Sequence, residues 1–456
     1  QREEGLLMKR RDDCRPLIRF LLLVLLWQPL ALFGASDDVQ RVTVIRASRV
    51  ITGTGEVLEP GEVVIDEGKI TLVGNQLEYP KNARIIDAPG QTLMAGMILA
   101  RSSHGLQSLS KNGTNCNLSP LRQLDEELMP WEDFLEAGFV AASLVPSGSG
   151  FPGHAVVVKT TPDDSDRILK AAAYLPLNGR SPRGIYTSVG KGFDVARGEI
   201  DKVKKAREKW DEEQEAAKKK EQEESKKDAG DAAAGDKKSD KPATEKADDG
   251  KPKEFQPPEM NPAVIELVKI LEEKEDALPI VFSAQTPGLI LHLDSAIASV
   301  KELKDRDPLS IFQLPVSRTG AFHEVVELLT ERKATVLVPP ALSAFPDTYS
   351  RIHIPVVLAR GGCTVITLPA TDNFAGMRGV PAKLAELVRY GLSREAALAS
   401  VTLEAARLLG LDDRMGTVEE GKEPHFVLFD ADPLEPGARV MKTIIAGKVV
   451  WDREDR

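Results

Sequence analysis

The sequence is poor in cysteine and histidine, with three and six of them in 456 residues. Cys14, Cys116 and Cys363 are too few for a disulfide framework, and none lies in a C-x-x-C pair of the kind that binds zinc or carries redox chemistry. A single Cys116–Cys363 bridge is allowed in an oxidising compartment, and two unpaired thiols are the alternative. The sequence alone leaves the two open.

The chain also lacks an excess of cations, since its formal net charge is -10. Binding to a phosphate backbone draws on clustered lysine and arginine, and no basic face is evident, so we expect no nucleic-acid partner. Hydrophobic residues make up 42% and charged residues 29% of the chain, which is typical of a globular protein. The length allows two domains or one barrel with an appendage.

No apolar run is long and uninterrupted enough for a comfortable membrane-spanning helix. Residues 20–35 are mostly apolar and follow a basic cluster, the pattern of a secretory signal, but Gln28 and Pro29 interrupt them. We therefore predict a signal segment over residues 1–36 and an exported protein, periplasmic or extracellular. Ala35 suits a signal-peptide cleavage site, but Phe33 does not. Cleavage of the segment and its retention as a membrane anchor therefore both stay open, and such an anchor is the one membrane contact that we expect.

Both ends of the mature chain are typical of short β-strands. Residues 42–74 contain two alternating runs around an Asp66-Glu67-Gly68 turn, residues 83–88 form a further strand that ends at Pro89-Gly90, and the last forty residues have the same character. We predict a composite β-sandwich built from residues 37–93 and 412–456.

The middle of the chain alternates apolar runs with segments of helical periodicity. The predicted strands lie in residues 139–146, 154–160, 278–285, 309–317, 333–340, 354–362 and 363–372, and predicted helices include residues 320–333 and 375–392. Strands and helices at this spacing favour a parallel sheet, and their number favours a closed (β/α)8 TIM-like barrel over residues 94–411. Residues 200–260 interrupt the pattern as a charged insertion: first an exposed helix rich in opposite charges four apart, then a stretch with little to bury that we expect to be disordered.

Two distant blocks resemble the amidohydrolase superfamily in order and spacing. RVITGTGEVLEPGEVVIDEGKITLVG and ARIIDAPGQTLMAGMILA are similar to its first strands, and the block from GLSREAALASVTLEAARLLG through HFVLFDADPLEP to VMKTIIAGKVVWD is similar to its last helices and closing strands. The resemblance covers most of the mature chain. It implies a β-sandwich from both chain ends, a (β/α)8 barrel, zinc or another divalent metal, and hydrolysis of C–N bonds in amides or cyclic amides.

In that family the first barrel strand ends in an Asp and a His-x-His pair, because residues two apart on a strand point to the same side and can reach one ion. The matching text is MAGMILARSSHGL, in which Leu99 replaces the aspartate, Arg101 the first histidine and Ser103 the second. A guanidinium is always protonated and repels a cation. We therefore predict no metal site and no cofactor, and we assign Arg101 and Ser103 to ligand binding.

The other metal ligands of the family are largely missing as well. The runs that match strands 5 and 6, VFSAQTP and FQLPVS, contain no histidine, and His104 is one residue out of register and is expected in a turn. Asp372 in TLPATDN matches the family's metal-binding general base. It is our candidate catalytic residue, with capping of the following turn as the alternative.

Two functions remain in view. The first is an exported relative of C–N hydrolases with a degenerate site, inactive by the usual metal route, whose barrel mouth still binds a small molecule. The alternative is a non-catalytic ligand-binding or scaffold protein of the cell envelope, with the charged insertion as its contact arm. A third idea, chemistry rebuilt around Arg101 and Asp372 without a metal, needs further carboxylates that we do not find in the sequence.

Overall fold

The structure is a computed structural model that describes residues 42–455, except 108–109, 162–165, 232–253, 304–309, 316–318 and 346–347. The predicted signal segment lies outside these residues. The polar stretch that we expect to be disordered also lies outside them, except for its margins. None of the helices in the described part of the chain is long and apolar enough to cross a membrane.

The chain alternates strands and helices throughout its middle. The strands are β1 Thr43–Ile51, β2 Val57–Leu58, β3 Gly61–Asp66, β4 Lys69–Gly74, β5 Arg84–Ala95, β6 Met97–Ser102, β7 Gly113–Thr114, β8 Phe139–Leu144, β9 Gly150–Phe151, β10 Val156–Lys159, β11 Ile168–Lys170, β12 Leu175–Gly179, β13 Ile280–Ala284, β14 Ile311–Gln313, β15 Thr335–Val338, β16 Leu342–Ala344, β17 Arg351–His353, β18 Thr364–Thr367, β19 Phe426–Phe429, β20 Val440–Ile445 and β21 Lys448–Asp452.

The α-helices include one of 50 residues. They are α1 Trp131–Glu136, α2 Pro182–Asp231, α3 Ile265–Leu271, α4 Pro287–Ala298, α5 Val326–Glu331, α6 Ile354–Arg360, α7 Phe374–Arg378, α8 Val380–Arg389, α9 Arg394–Ala399 and α10 Leu403–Leu409. Short 3-10 helices cover Pro120–Gln123, Glu126–Leu128, Pro262–Val264, Lys301–Leu303, Thr319–Val325 and Arg453–Asp455.

The two chain ends meet in one eight-stranded sheet, ordered β21-β20-β19-β5-β1-β3-β4, with β2 paired to β1. The β3–β4 hairpin turns through Glu67 and Gly68, both at positive φ, as the Asp-Glu-Gly signal predicts. Strand β19 pairs antiparallel with β5, which fastens the end of the chain to its beginning. The pairing gives a single continuous sheet and does not confirm the predicted sandwich.

Strand β5 is longer than predicted. The strand expected to end at Pro89-Gly90 continues to Ala95, because Gly90 takes a positive φ and the pairing with β1 shifts register between Ala47 and Arg49. An irregularity of this kind accommodates a proline without ending the strand. β6 follows β5 after a single residue, Gly96, and carries the chain from the terminal sheet into the barrel region.

The barrel region consists of two main sheets. Parallel strands β6 and β8 form one together with β10 and β11, and parallel strands β12, β13, β14, β15 and β18 form the other together with β9 and β7. Among the described residues, no strand pair joins β18 to β6 or β8 to β12. The prediction of parallel strands alternating with helices is therefore confirmed, whereas hydrogen-bonded closure of the barrel is not observed.

Two strand predictions in this region need correction, and one strand was missed. Residues 154–160 contain β10, but it runs antiparallel to β8 and so is not a barrel strand. Residues 354–362 form helix α6, whose Pro355 lies in the first turn, a position that favours helix initiation. Strand β12 was missed because it contains Pro176, and proline argues against a strand in the interior of a sheet.

The predicted charged helix is present and is the longest among the described residues. Helix α2 packs its first turns into the core through Ile185, Val189 and Phe193, which are fully buried. From Lys202 to Lys220 most side chains of the helix are solvent-exposed, and Trp210 packs edge-on against Phe255 with ring centroids 5.8 Å apart. The segment that returns from the insertion therefore packs along the same helix.

Candidate functional site

The carboxyl ends of β6 and β18 meet at one side of the barrel region. Asp372 lies five residues beyond the end of β18 and reaches the end of β6 across 270 residues of sequence separation. The Ser102 hydroxyl donates to Asp372 Oδ1 at 3.0 Å, while the Ser103 backbone N–H and hydroxyl donate to Oδ2 at 2.8 and 3.0 Å. Sequence analysis selected Ser103 and Asp372 separately, and the structure places them in direct contact.

Helix capping does not explain Asp372. The N-cap of α7 is Asn373, whose Oδ1 accepts a hydrogen bond from the Gly376 N–H at 2.9 Å. Asp372 instead turns towards the two serines, with its side chain 37% exposed at the open end of the strands. The residue that caps the following helix is therefore Asn373 and not Asp372.

His104 lies in a turn after β6, as expected from its register, yet its ring faces the same carboxylate. Its Nε2 lies 3.5 Å from Asp372 Oδ1, an ion-pair distance without hydrogen-bond geometry. The ring packs edge-on against Phe134 at 5.8 Å. Its own backbone N–H donates to Ser102 Oγ at 3.1 Å, so this serine is held on both sides. The serines donate to the carboxylate directly, which is not the serine–histidine–acid relay of a nucleophilic site.

Arg101 extends from β6 beside these residues. Its Nη1 atom is buried and has no hydrogen-bond partner among the residues that the structure describes. The guanidinium lies near the fully buried Tyr174, whose pKa is raised by burial and partly lowered again by Arg101. Tyr174 therefore stays a neutral hydroxyl, and it donates to the Ala100 carbonyl at 3.1 Å. A cation is thus held at the barrel mouth without a counter-ion among the described residues.

A cavity of about 190 Å³ opens between these strand ends. Its lining includes Arg101, Ser102, Ser103 and Asp372 from the β6 and β18 ends and Gln313 from the end of β14. Gln313 Oε1 is buried and has no hydrogen-bond partner in the described part of the chain. Sequence reasoning missed Gln313 because it searched the FQLPVS run for histidine alone. The signal was a polar side chain at the carboxyl end of a barrel strand, where ligands bind in this type of fold.

The residues at this mouth do not fit the divalent metal of the resembling family. A metal needs several neutral imidazoles, thiolates or carboxylates around one point. Asp372 is the one carboxylate among the described residues that line the cavity, and both its oxygens already accept hydrogen bonds. Arg101 adds a positive charge where the first histidine would lie. No group of three or more His, Cys, Asp or Glu side chains in residues 42–455, outside the gaps, is arranged to hold a metal ion.

Cys116 and Cys363 are both free and buried. Burial raises the pKa of Cys116 to about 12 and that of Cys363 to about 11. Both stay protonated at neutral pH, and a thiol is far less nucleophilic than a thiolate. The structure thus favours unpaired core thiols over the Cys116–Cys363 bridge.

Sequence comparisons link the chain to known hydrolases. The sequence profile of the amidohydrolase family matches residues 326–450. The chain is 25% identical over 460 aligned residues to amidohydrolase tasK of Hapsidospora irregularis, covering 94% of this chain and 42% of that protein. It is 40% identical over 73 residues to imidazolonepropionase of Thermoplasma volcanium, covering 14% of this chain and 18% of that enzyme. The chain thus spans less than half the length of either curated relative.

A structural comparison extends the likeness across most of the fold. An amidohydrolase from Thermotoga maritima superposes with a TM-score of 0.63 at 20% identity, covering 90% of this chain and the whole of that one. At this identity the likeness shows the fold, which is α/β and TIM-barrel-like.

Proposed function

Because the chain belongs to the amidohydrolase superfamily, we propose that it is a divergent member that binds a small ligand at the barrel mouth and does not hydrolyse C–N bonds by the usual metal route. On this proposal the fold descends from metal-dependent hydrolases. The side chains at the mouth are those of a metal-free binding site.

The observation that carries the proposal is the state of Asp372. In a metal-dependent hydrolase this carboxylate must be free to bind the ion and to take a proton from water. Here Ser102 and Ser103 supply three hydrogen bonds to its two oxygens. Oδ2 already accepts two of these bonds, so only Oδ1 keeps a free lone pair for either role. The carboxylate is better suited to fixing the end of β6 and, with it, the direction of Arg101.

The positive charge of Arg101 also argues against the metal route. A divalent ion lowers the pKa of its bound water to about 7, which generates the nucleophile at neutral pH. A guanidinium cannot activate water in this way, because it holds no water as an inner ligand and keeps its own protons. It is well suited to hold an anion or a carbonyl oxygen in a fixed direction.

We also propose that the protein is exported to the periplasm or the exterior. The basic cluster and the apolar run of residues 20–35 support export. A ligand-binding role in the cell envelope also leaves the exposed half of α2 available as a contact arm. Because the curated relatives are more than twice as long as the matched region of this chain, activity that needs a further part of those proteins lies outside this proposal.

Elemental analysis of the purified chain after mild dialysis tests the proposal, together with assays on amide and cyclic amide substrates with and without added zinc. We expect no stoichiometric transition metal and no zinc-dependent turnover. The double variant Arg101→His, Ser103→His restores the imidazole pair and serves as the matched comparison, which should retain more zinc than the natural chain. One equivalent of tightly held metal in the natural chain, or turnover that depends on zinc, would overturn the proposal.

A further inference from the structure

Strands β16 and β17 form a hairpin between β15 and α6, at the carboxyl end of a barrel-region strand. Each strand has three residues, and within the described chain the two pair with no other strand. An isolated two-stranded hairpin is marginally stable at best. We name residues 342–345 and 348–353 the strap, and its position must depend on the side chains that anchor it to neighbouring elements.

Two histidine contacts anchor the strap. The ring of Phe345 packs edge-on against His323, in the 3-10 helix that follows β14, with centroids 5.0 Å apart. At the end of β17, His353 Nε2 donates to Glu386 Oε1 at 3.1 Å, because a carboxylate can only accept. Glu386 lies on α8, in the segment that follows β18. The strap therefore joins the segments after β14 and β18, and residues of both segments line the mouth cavity.

His353 is the anchor that can respond to pH. Its side chain is fully buried, and its ring packs edge-on against Tyr390 with centroids 4.5 Å apart. Ile352 and His353 are the buried residues of the strap. An element that buries so few side chains opens at a low free-energy cost. The contact between His353 and Glu386 is therefore a large part of what holds the strap in place.

The carboxylate beside His353 already serves another cation. Lys383 Nζ donates to Glu386 Oε2 at 2.7 Å from the preceding turn of α8. A protonated His353 would thus be a buried second cation on a carboxylate that a lysine already neutralises. Burial accordingly lowers the pKa of His353, Glu386 raises it, and Lys383 lowers it again, so that the pKa lies below its ordinary value of 6.5.

The other elements around the ring supply no carboxylate that would compensate the charge. Strand β16 has no ionisable side chain, and from that side the Ala341 backbone faces the ring. The one ionisable side chain of α6 is Arg360, at the far end of the helix, where its Nη2 donates to the Tyr390 carbonyl at 2.9 Å. Arg351, on the same strand as His353, is exposed to solvent.

The sign of the pH response follows from these contacts. In the docked strap His353 has a pKa below 6.5, whereas a released, solvated histidine has a pKa near 6.5. The docked form therefore binds fewer protons, so docking is stable above pH 6.5 and loses free energy as the pH falls below that value. Burial raises the pKa of Glu386, but Lys383 and His353 lower it further, so this carboxylate stays ionised over the same range.

We propose that the strap is a pH-sensitive closure at the rim of the barrel mouth, docked while His353 is neutral and released when His353 takes a proton from solvent. A buried histidine that gains charge on release is a general basis for such switches. The inference rests on the proposed function in one respect, since it takes the mouth to be a binding site to which the strap controls access. It requires no particular ligand.

Hydrogen–deuterium exchange of the full chain, corrected for the intrinsic rate at each pH, measures release of the strap. We expect the amides of β16 and β17 to exchange at least about threefold faster at about pH 5 than at about pH 7.5. Helix α4 is the internal reference, because its His292 is exposed, and its protection should stay the same. Equal protection of the strap at both pH values would overturn the proposal. An equal rise in α4 would indicate global unfolding and would overturn it too.

Two variants assign the response to His353. His353→Gln keeps a neutral donor for Glu386 at every pH, so strap exchange should no longer depend on pH. Lys383→Met removes the competing cation and leaves Glu386 to the imidazolium, so the acid-induced rise should fall to less than about half. A purely structural histidine would not respond to the lysine. His292→Gln is the matched control and should keep the natural response.

A response that survives in His353→Gln, or that is unchanged in Lys383→Met, would overturn the proposal. Lys383 is 42% exposed, so its variant decides the matter even if His353→Gln fails to fold.

The readouts separate failure of this inference from failure of the proposed function, because strap exchange needs neither ligand nor metal. If the strap is insensitive to pH and the chain is metal-free, the closure is wrong while a metal-free binding site stands. If the chain retains one equivalent of metal, the proposed function falls, and acid release of the strap is still decided by exchange alone.

Discussion

The terminal sheet and the barrel mouth use similar charged residues in opposite ways. At the junction of the sheet with α9, the buried Asp432 accepts hydrogen bonds from Arg49 Nη1 and Arg394 Nη2, both at 2.5 Å. Close by in sequence, Glu423 accepts from Arg414 Nε at 2.7 Å and contacts His425 Nε2 at 3.1 Å. In these clusters the chain itself supplies the partners of each acid.

At the barrel mouth the chain supplies hydrogen-bond partners to the acidic residue, but not to every polar atom of the basic residue beside it. Asp372 receives three hydrogen bonds from the serines, while Arg101 Nη1 and Gln313 Oε1 have no partner among the described residues. Complete pairing stabilises a fold, and incomplete pairing reduces stability unless a ligand completes it. Both oxygens of Asp432 are bonded within the chain, whereas the mouth leaves polar atoms of its basic and amide side chains unbonded. A missing partner does not by itself mark a ligand site, because Arg49 Nε at the sheet junction also has no hydrogen-bond partner within the described chain.

The largest effect is expected at the sheet junction. Asp432→Ala removes the acid that joins β1 to α9 and leaves two guanidinium groups facing each other, with their side chains 29% and 46% exposed. We expect the free energy of unfolding to fall by about 3 kcal/mol, the lower end for breaking a buried ion pair, because solvent still reaches both arginines. Urea denaturation measures it.

Asp432→Asn serves as the control for that variant. It keeps an oxygen for the Leu434 N–H, which Asp432 Oδ1 now accepts at 2.9 Å, and removes only the charge. It should lose less stability than Asp432→Ala. A loss below about 0.5 kcal/mol in the alanine variant, the level of an ordinary surface substitution, would break the comparison on the side of the sheet.

The second effect is a pH dependence at Glu423. Hydrogen bonds from His425 and then Arg414 lower the pKa of Glu423 from 4.5 to about 2. An acid with a depressed pKa in the folded state contributes stability above its unfolded pKa and loses it as pH falls, here between about 4.5 and 2. Burial also lowers the pKa of His425, so its contribution has the same sign and begins at higher pH.

Denaturation curves at several pH values measure this contribution. We expect Glu423 to account for about 2 kcal/mol of the stability lost over that range, after allowing for solvent near the pair. Glu423→Gln should remove this part of the slope. If the variant and the natural chain lose stability in parallel below pH 4.5, the junction is held together by packing and not by its charges.

Local sequence signals predicted the terminal sheet well. The β3–β4 hairpin follows from alternating apolar residues around Asp66-Glu67-Gly68, since both the strand period and the turn are encoded within a few residues. Helix α6 was mistaken for a strand because its six apolar residues before Arg360 show neither period clearly. β12 was missed because Pro176 outweighed its neighbours.

The candidate site could be predicted in part. Arg101, Ser103 and Asp372 were found because the family resemblance marked their positions. Their mutual arrangement could not be predicted, since Ser102 and Asp372 are 270 positions apart and meet only through the packing of β6 against the end of β18. The contact between Arg101 and Tyr174 and the position of Gln313 in the cavity lining likewise depend on which strands become neighbours, which no local pattern encodes.

A smaller effect of opposite sign is expected at the mouth. Arg101→Met replaces a guanidinium whose Nη1 atom lacks a hydrogen-bond partner among the described residues by an apolar chain of similar length. Without ligand, we expect the free energy of unfolding to rise by about 1 kcal/mol, because a desolvated charge is removed and no ion pair is lost. Urea denaturation of the ligand-free protein measures it. A loss of about 2 kcal/mol or more is the size expected when a structural ion pair is broken. Such a loss would mean that Arg101 stabilises the fold as the arginines of the terminal sheet do.

The smallest effect is expected on the exposed half of α2, which provides the baseline for both regions. Lys209 Nζ lies 3.7 Å from Glu213 Oε1, and the two side chains are 79% and 64% exposed. Solvent and salt screen such a pair, so Lys209→Ala should change the free energy of unfolding by less than about 0.5 kcal/mol at any salt concentration. A larger loss would show that mere proximity of opposite charges contributes to this fold. The separation of paired from unpaired groups at the sheet and the mouth would then lose its meaning, because exposed pairs would count as well.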